Sequence, residues 1–144
     1  MIVTTYNRPK RLERMLHALT LQALPYGEFE VVVVDDGSLE PVAPVLDAFT
    51  DRLRITHRRQ PNSGPAVGRN TAIALAKSRF IVMLDDDCEP EPAWLPILLE
   101  ALEAHPDAMV GGHTVNGLPN NLYSEVSQMI VDRVYAVHNA DPTN

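Results

Sequence analysis

Short apolar segments alternate along this chain with longer segments in which apolar residues recur at helical spacing. The sharpest apolar segment is Phe29–Val34, whose continuous run of valines is typical of a strand buried on both faces of a parallel sheet. The other apolar segments are shorter or alternate with polar residues. Together they predict strands over residues 2–5, 29–34, 53–57, 80–84 and 108–112.

Helices are predicted where apolar residues recur along one face. Leu12, Leu16 and Leu19 stand at i, i+4 and i+7, and Pro9 fits the first turn, where its missing N–H costs little. The same spacing predicts helices over residues 42–49, 66–77, 92–102 and 123–138. Because strands that alternate with helices indicate crossover connections, we expect an α/β fold with a mainly parallel sheet and helices on both faces.

The length of 144 residues corresponds to about one ordinary domain. Hydrophobic residues make up 45% of the chain and charged residues 22%, which excludes wholesale disorder and fibrous repeats. The lone Cys88 excludes an intrachain disulfide and a multi-cysteine zinc site. We expect a single domain over residues 1–144. Because its first strand is short and its last helix has no later element to pack against, we expect that domain to be truncated at both ends.

Membrane-crossing and leader segments are not expected in this sequence. No apolar run approaches the roughly 20 residues that cross a bilayer, and Met1 leads directly into a predicted strand rather than a signal peptide. The predicted helix over 123–138 is amphipathic. We expect its apolar face to pack on the missing part of the protein; docking to a membrane or a partner is the alternative.

Charge is divided unevenly between the two halves of the chain. Residues 1–79 hold eleven basic and eight acidic side chains, whereas residues 80–144 hold one basic and eleven acidic, within a net charge of −7. An acidic chain argues against nucleic acid as a partner, since binding to nucleic acid needs a basic surface. The division suggests anion-binding groups in the first half and cation-binding carboxylates in the second, although a solvated acidic face would give the same composition.

Polar clusters stand at the ends of three predicted strands, beginning at Thr5, Asp35 and Asp85. In open α/β sheets, ligands bind beyond the carboxyl ends of the strands. One such cluster is commonly just a turn, because turns need Asp, Asn and Gly. Three clusters on one edge of one sheet favour a ligand site there.

The run Asp85, Asp86 and Asp87 brings together three adjacent carboxylates, whose mutual repulsion a hard cation would relieve. Mg²⁺ is typically bound through one or two carboxylates plus substrate phosphates and water. On an extended backbone, alternate side chains point to the same side, so we expect Asp85 and Asp87 to share a site and Asp86 to point away. The alternative is an exposed acidic turn that caps the next helix.

Two further residues are candidates for binding a nucleotide. Asp36, like its neighbour Asp35, follows the valine run and can accept hydrogen bonds from a base or a ribose, while Gly37 supplies room and an unusual backbone conformation. Arg69 stands near a predicted helix start, where a guanidinium and free N–H groups favour a diphosphate. An ordinary surface arginine is the alternative.

The motifs, taken in order, resemble those of glycosyltransferase family 2. They are VTTYNR at 3–8, VVDDGS at 33–38, NSGPAVGRN at 62–70 and LDDD at 84–87, followed by Pro92, Trp94-Leu95 and VGG at 110–112. Each motif is weak singly, but their order and spacing agree over nearly the whole chain. The resemblance implies the Rossmann-like, nucleotide-binding half of a GT-A fold, which transfers a sugar from a nucleotide-diphosphate donor with inversion.

The resemblance also implies roles for individual residues. Thr5 and Tyr6 would border the nucleobase, Asp36 would hydrogen-bond the base, and Arg69 would lie near the nucleotide. The acceptor would be a glycan, a lipid or a protein. The location would be cytoplasmic, at the inner face of a membrane with which the full-length protein associates.

The acidic motif carries the cation in this family. By position, Asp85 would face the ribose or the metal, Asp86 would belong to the donor-binding set, and Asp87 would bind the Mg²⁺ or Mn²⁺ that bridges the diphosphate. A divalent ion on the leaving diphosphate stabilises the charge that develops as the sugar is released.

The sequence departs from the family pattern at three points. Thr4 replaces a frequent proline, and Cys88 replaces a frequent fourth aspartate. The family's general base is an acidic residue in the acceptor-binding half, and Glu125, Asp132 and Asp141 do not stand in such a motif. We therefore assign no catalytic residue and expect the base beyond residue 144.

Two other functions compete with sugar transfer. A non-catalytic fragment would bind the donor or a partner without turnover, and the missing base favours this alternative. A haloacid dehalogenase-type phosphotransferase would also use aspartates at a strand end, but Asp85 to Glu89 fits its pattern poorly and no phosphate-binding lysine follows.

Overall fold

The structure is a computed structural model that describes residues 1–25, 27–118, 120–138 and 140. It divides into two compact units, Met1–Met109 and Val110–Asn144. The first unit contains the sheet and the predicted site residues. A single domain over the whole chain stays a prediction.

The sheet has three parallel strands in the order β1, β2, β3. They are β1 (Ile2–Thr5), β2 (Glu30–Asp35) and β3 (Arg54–Arg59). Thr5 lies opposite Asp35, which in turn lies opposite Arg59, so all three strands end level with one another. The carboxyl ends therefore meet at one edge of the sheet, as the strand pattern predicted.

Helices cover both faces of this sheet. They are α1 (Pro9–Thr20), α2 (Ala43–Asp47), α3 (Pro65–Leu75) and α4 (Trp94–Ala104), and the second unit adds α5 (Leu122–His138). Val31 and Val33 of β2 pack with α1, α2 and α4, whereas Val32 and Val34 pack with Ala72 of α3. Burial of β2 on both faces confirms the α/β fold that its valine run predicted.

The segment over 80–84 was wrongly predicted to be a buried strand. Among the described residues it forms one isolated parallel bridge, Ile2 to Met83, supported by hydrogen bonds from Ile2 to Val82 (2.8 Å) and from Leu84 to Ile2 (3.2 Å). Val82 and Leu84 pack on the core, but Ile81 and Met83 are 39% and 58% exposed. Only one face of the segment is covered, and its pairing with β1 is too short to form a ladder.

The predicted strand over 108–112 is also wrong. Within the described chain this segment has no regular structure, and Met109 is fully exposed. A β-branched or apolar run becomes a strand only where a neighbouring strand pairs with it and a packed face covers it.

The second unit is built around α5, whose predicted range is confirmed. Asn121 accepts a hydrogen bond from the Ser124 N–H (3.1 Å) at its start. Tyr135 donates to the Gly112 carbonyl (2.9 Å), which ties the preceding segment to the helix. Among the helices that the structure describes, none combines the length and the apolar character needed to cross a bilayer.

Candidate functional site

A cavity of about 560 Å³ opens at the carboxyl edge of the sheet. All seven residues that the sequence nominated line it: Thr5, Tyr6, Asp36, Arg69, Asp85, Asp86 and Asp87. They come from the end of β1, the end of β2, the start of α3 and the segment after the bridge at Met83. Residues far apart in sequence are thus brought into one polar cavity, while their individual roles stay predictions.

The acidic segment does not have the extended geometry that the sequence suggested. Residues 86–87 form a turn, and Asp85, Asp86 and Asp87 all line the cavity. The sharing of one site by Asp85 and Asp87 stays a prediction. Asp85 and Asp87 have side chains that are 63% and 37% exposed. Asp86, by contrast, is only 3% exposed.

Asp86 joins the acidic turn to the first strand and to the start of the first helix. The Thr5 hydroxyl donates to its Oδ2 (2.7 Å), and Arg8 donates to its Oδ1 (3.2 Å). A buried carboxylate needs such partners, because leaving it unpaired costs several times more than a typical hydrogen bond gains. Both oxygens of Asp86 are therefore engaged in holding the turn in place.

Arginines pair with the two exposed aspartates. Arg69 contacts Asp85 (2.9 Å), and Arg11 contacts Asp87 (2.8 Å). The predicted division of charge is thus visible as ion pairs between the basic first half and the acidic second half. Each of these two carboxylates therefore already has a positively charged partner at the place where a metal ion would bind.

The donor set nevertheless fits a divalent cation. No group of three or more histidine, cysteine or carboxylate side chains forms a ready-made metal site in the part of the chain that the structure describes. Mg²⁺ does not require one, because it usually takes one or two carboxylates and completes its shell with phosphates and water. Asp85 and Asp87 are two exposed carboxylates that line one cavity, and they are of the ligand type and number that such a cation takes from a protein.

Asp36 holds the loop that leads into α3. Its carboxylate accepts hydrogen bonds from the Gln60 side chain (2.7 Å) and from the N–H groups of Ser63 (3.0 Å) and Gly64 (2.8 Å). Thr71 of α3 donates to the Gln60 oxygen (2.8 Å) and so orients the amide toward Asp36. A nucleobase bonded by Asp36 would share the carboxylate with this loop.

The neighbouring Asp35 does not line the cavity. It is fully buried, accepts a hydrogen bond from the Ser38 N–H (2.9 Å) and has Arg59 3.6 Å from its other oxygen. Gly37 follows at φ +83°, and a Cβ there would lie 2.7 Å from the backbone nitrogen of Asn62. The loop over 60–64 can therefore approach β2 closely because residue 37 is glycine.

Gly68 allows α3 to pack closely on β1. A Cβ at this position would lie 2.8 Å from the Thr4 methyl. The close approach brings the start of α3, and with it Arg69, against the carboxyl edge of the sheet. The NSGPAVGRN motif thus has a packing role.

Cys88, which follows the acidic turn, is poorly suited to act as a nucleophile. Burial, followed by the nearby carboxylates of Asp87 and Asp85, raises the pKa of the Cys88 thiol above its ordinary value. A raised pKa keeps the group as a thiol near neutral pH, and the thiolate is the reactive form.

Sequence reasoning missed five lining residues: Thr4, Arg8, Asn62, Gly64 and Pro65. It also missed Arg11 and Gln60 as partners of the predicted aspartates. Arg8 and Arg11 had a signal, because basic residues at the start of a helix that follows β1 would face any acidic cluster at the same edge. No sequence signal marked Gln60, because its contact with Asp36 depends on how the loop over 60–64 folds back onto β2.

Comparison with known proteins identifies the relatives of this chain. Residues 1–142 match the family model described as glycosyl transferase family 2. The hyaluronan synthase of Pasteurella multocida is 42% identical over 96 residues, which are 65% of this chain and 10% of that protein.

Two solved structures show the same fold. S. aureus TarS in complex with UDP-GlcNAc matches with a TM-score of 0.69 and 26% identity, over 81% of this chain and 37% of that one. The mannosyltransferase PcManGT from Pyrobaculum calidifontis, in complex with GDP-Man and Mn²⁺, matches with a TM-score of 0.56 and 30% identity, over 60% of this chain and 26% of that one. These neighbours have the GT-A fold. This chain spans from 10% to 37% of the length of the three relatives.

Proposed function

Because this chain belongs to glycosyl transferase family 2, we propose that its cavity binds the nucleotide-diphosphate part of a sugar donor, for transfer of the sugar to an acceptor. One observation carries this proposal: residues from four separate segments, each nominated from the sequence, line one polar cavity at the carboxyl edge of a parallel sheet. That edge is where α/β sheets bind nucleotides.

Different residues of the cavity would contact different parts of the donor. Thr5 and Tyr6 would border the nucleobase, and Asp36 would accept a hydrogen bond from the base while it holds the loop over 60–64. Arg69 would lie near the nucleotide, where its guanidinium suits a phosphate. The bound nucleotides of the two solved neighbours, UDP-GlcNAc and GDP-Man, support a nucleotide-sugar in this class of site.

Asp85 and Asp87 would hold the divalent cation, Mg²⁺ or Mn²⁺. The presence of Mn²⁺ in the PcManGT complex supports this part of the proposal. When bound, such an ion stabilises the negative charge that develops on the leaving diphosphate. Asp86 would contribute indirectly, by holding the turn that presents its two neighbours to the cavity.

The family leads us to expect three further properties: inversion at the transferred sugar, a glycan, lipid or protein as the acceptor, and a location at the inner face of a membrane.

None of the four carboxylates that line the cavity is well placed to act as the general base. Asp36 and Asp86 are engaged by several donors, and Asp85 and Asp87 are paired with arginines. A fragment that binds the donor without transfer is therefore the second candidate. Sugar transfer or donor hydrolysis by the 144-residue chain would exclude it.

Isothermal titration calorimetry tests the donor site. We expect the chain to bind at least one of the UDP, GDP and dTDP sugars with Mn²⁺ present, and to bind it at least about tenfold more weakly in the Asp87→Ala variant, because one metal ligand is lost. Asp47→Ala removes an exposed aspartate of α2 and is the matched control. Absence of heat with all three donor classes, or equal affinities for the Asp87→Ala and Asp47→Ala variants, would contradict the proposal.

A further inference from the structure

Arg8 at the N-cap of α1, and Arg11 and Arg14 within that helix, each face a carboxylate between Asp86 and Glu89. Arg8 and Arg11 lie 3.4 Å and 2.8 Å from the same oxygen of Asp87, its Oδ2. Arg14, three residues after Arg11, lies 3.2 Å from Glu89. The acidic segment is thus neutralised from one side by the chain's own cations.

We propose that Arg11, assisted by Arg8, occupies the Asp87 carboxylate when no divalent cation is bound and competes with the cation for it. This inference rests on the proposed function, in which Asp87 is a metal ligand. It assigns to Arg11 a part in setting the cation affinity of the site, although Arg11 does not line the cavity.

The competition follows from where the charges lie. Both guanidinium groups are directed at one oxygen, so a cation bound at that oxygen would stand beside two positive charges, which repel it. Cation binding at that oxygen therefore requires Arg11 to release Asp87. The side chains of Arg11 and Asp87 are 50% and 37% exposed, so the arginine can move into solvent without disturbing the core.

Arg8 and Arg11 differ in what holds them. Arg8 also pairs with the buried Asp86, which anchors it whether or not Asp87 is released. Arg11 has its ion pair with Asp87 as its one carboxylate contact among the described residues. Arg11 is therefore the residue that exchanges, and substituting it leaves the Thr5, Arg8 and Asp86 contacts in place.

The expected size of the effect is modest. Exposed ion pairs shift an equilibrium by about 1.5- to 5-fold. Arg11→Gln should therefore tighten the binding of Mn²⁺ by about that factor. Salt screens exposed charges, so the factor should shrink as the ionic strength rises.

Arg14→Gln is the matched control, because it removes the same charge one turn further along the same helix, from a pair that excludes the three aspartates. Free Mn²⁺ is counted by electron paramagnetic resonance as the 144-residue chain is titrated with Mn²⁺, alone and with UDP or GDP. We expect Arg11→Gln to bind Mn²⁺ more tightly than both the wild type and Arg14→Gln. Arg11→Lys, which keeps the charge, should return the affinity toward that of the wild type.

The outcomes separate this inference from the function on which it rests. If Asp87→Ala abolishes Mn²⁺ binding but Arg11→Gln and Arg14→Gln bind it equally, the competition is refuted and the cation site stands. Weaker binding by Arg11→Gln would also refute the competition, since Arg11 would then be positioning Asp87 for the metal. If the wild type binds no Mn²⁺ even with nucleotide, both the inference and the cation part of the proposed function are wrong. Circular dichroism melts show that each variant is folded.

Discussion

At the scale of single residues, the contact between Thr5 and Asp86 determines where the acidic turn lies. The family resemblance placed both residues in the donor-binding set, and the structure brings both to the cavity. The burial of Asp86 was not predictable, because spacing gives the direction of a side chain only where the backbone is regular. Residues 86–87 form a turn, and the pairing of charges decides the orientation there instead.

The hydroxyl of Thr5 should therefore matter for stability. Thr5→Val keeps the shape of the side chain but leaves the buried Oδ2 of Asp86 without the donor that now lies 2.7 Å away. We expect it to lower the free energy of unfolding by about 1–3 kcal/mol, measured by urea denaturation. Thr5→Ser keeps the hydroxyl and is the control. A loss confined to Thr5→Ser, with Thr5→Val as stable as the wild type, would show that packing of the Thr5 methyl, rather than this hydrogen bond, is what stabilises the turn.

At the scale of elements, the sequence predicted those helices and strands that a continuous pattern of apolar residues marks. The ranges of β1, β2, α1 and α5 agree closely with the structure, because a strong apolar period or a valine run marks each of them. The segments over 80–84 and 108–112 were wrong, since an apolar run does not reveal whether a neighbouring strand pairs along its whole length. Close approaches such as that of Gly68 to Thr4 also leave no periodic signal.

The packing of α3 on β1 gives a prediction with an internal control. Inside a helix, alanine normally gives a free energy of folding about 1 kcal/mol more favourable than glycine does. A Cβ at residue 68, however, would lie 2.8 Å from the Thr4 methyl. We therefore expect Gly68→Ala to destabilise the protein by about 1–3 kcal/mol in urea denaturation. Thr4→Ser removes that methyl, so the double variant should recover most of the loss. A double-mutant cycle without coupling between the two positions would contradict this account.

The opposite edge of the sheet provides a prediction about pH. Burial by itself would raise the pKa of Glu30, but hydrogen bonds from the Lys77 N–H and from the Ser78 N–H and hydroxyl outweigh burial and leave that pKa below its ordinary value. The ionised carboxylate therefore stabilises the fold above the ordinary glutamate pKa, and this contribution is lost as the pH falls through the lower value of the folded state.

Glu30→Gln should accordingly destabilise the protein most near pH 7. The difference in free energy of unfolding between wild type and variant should shrink below about pH 4. Urea denaturation at a series of pH values measures it, with Glu28→Gln, an exposed neighbour, as the control. A difference that stayed constant with pH would mean that Glu30 acts through its shape rather than its charge.

At the scale of the whole molecule, the division of charge along the chain becomes contact between opposite charges at one edge of the sheet. Arg8, Arg11 and Arg69 of the basic half meet Asp85, Asp86 and Asp87 of the acidic half there. Composition suggested the division but not its geometry, which depends on the parallel order of β1, β2 and β3 and on the bridge from Ile2 to Met83 that brings the acidic segment to the same edge. The same order places Asp36 on that cavity.

The position of a bound cation shows whether the cavity at the carboxyl edge of the sheet is the donor site. Crystals of the chain grown with Mn²⁺ and a nucleotide diphosphate, measured at the manganese absorption edge, reveal where the metal lies. We predict an anomalous peak at the carboxylates of Asp85 and Asp87, with the diphosphate against it and the base beside Tyr6 and Asp36. A nucleotide bound away from this cavity, or a manganese peak remote from both aspartates, would contradict it.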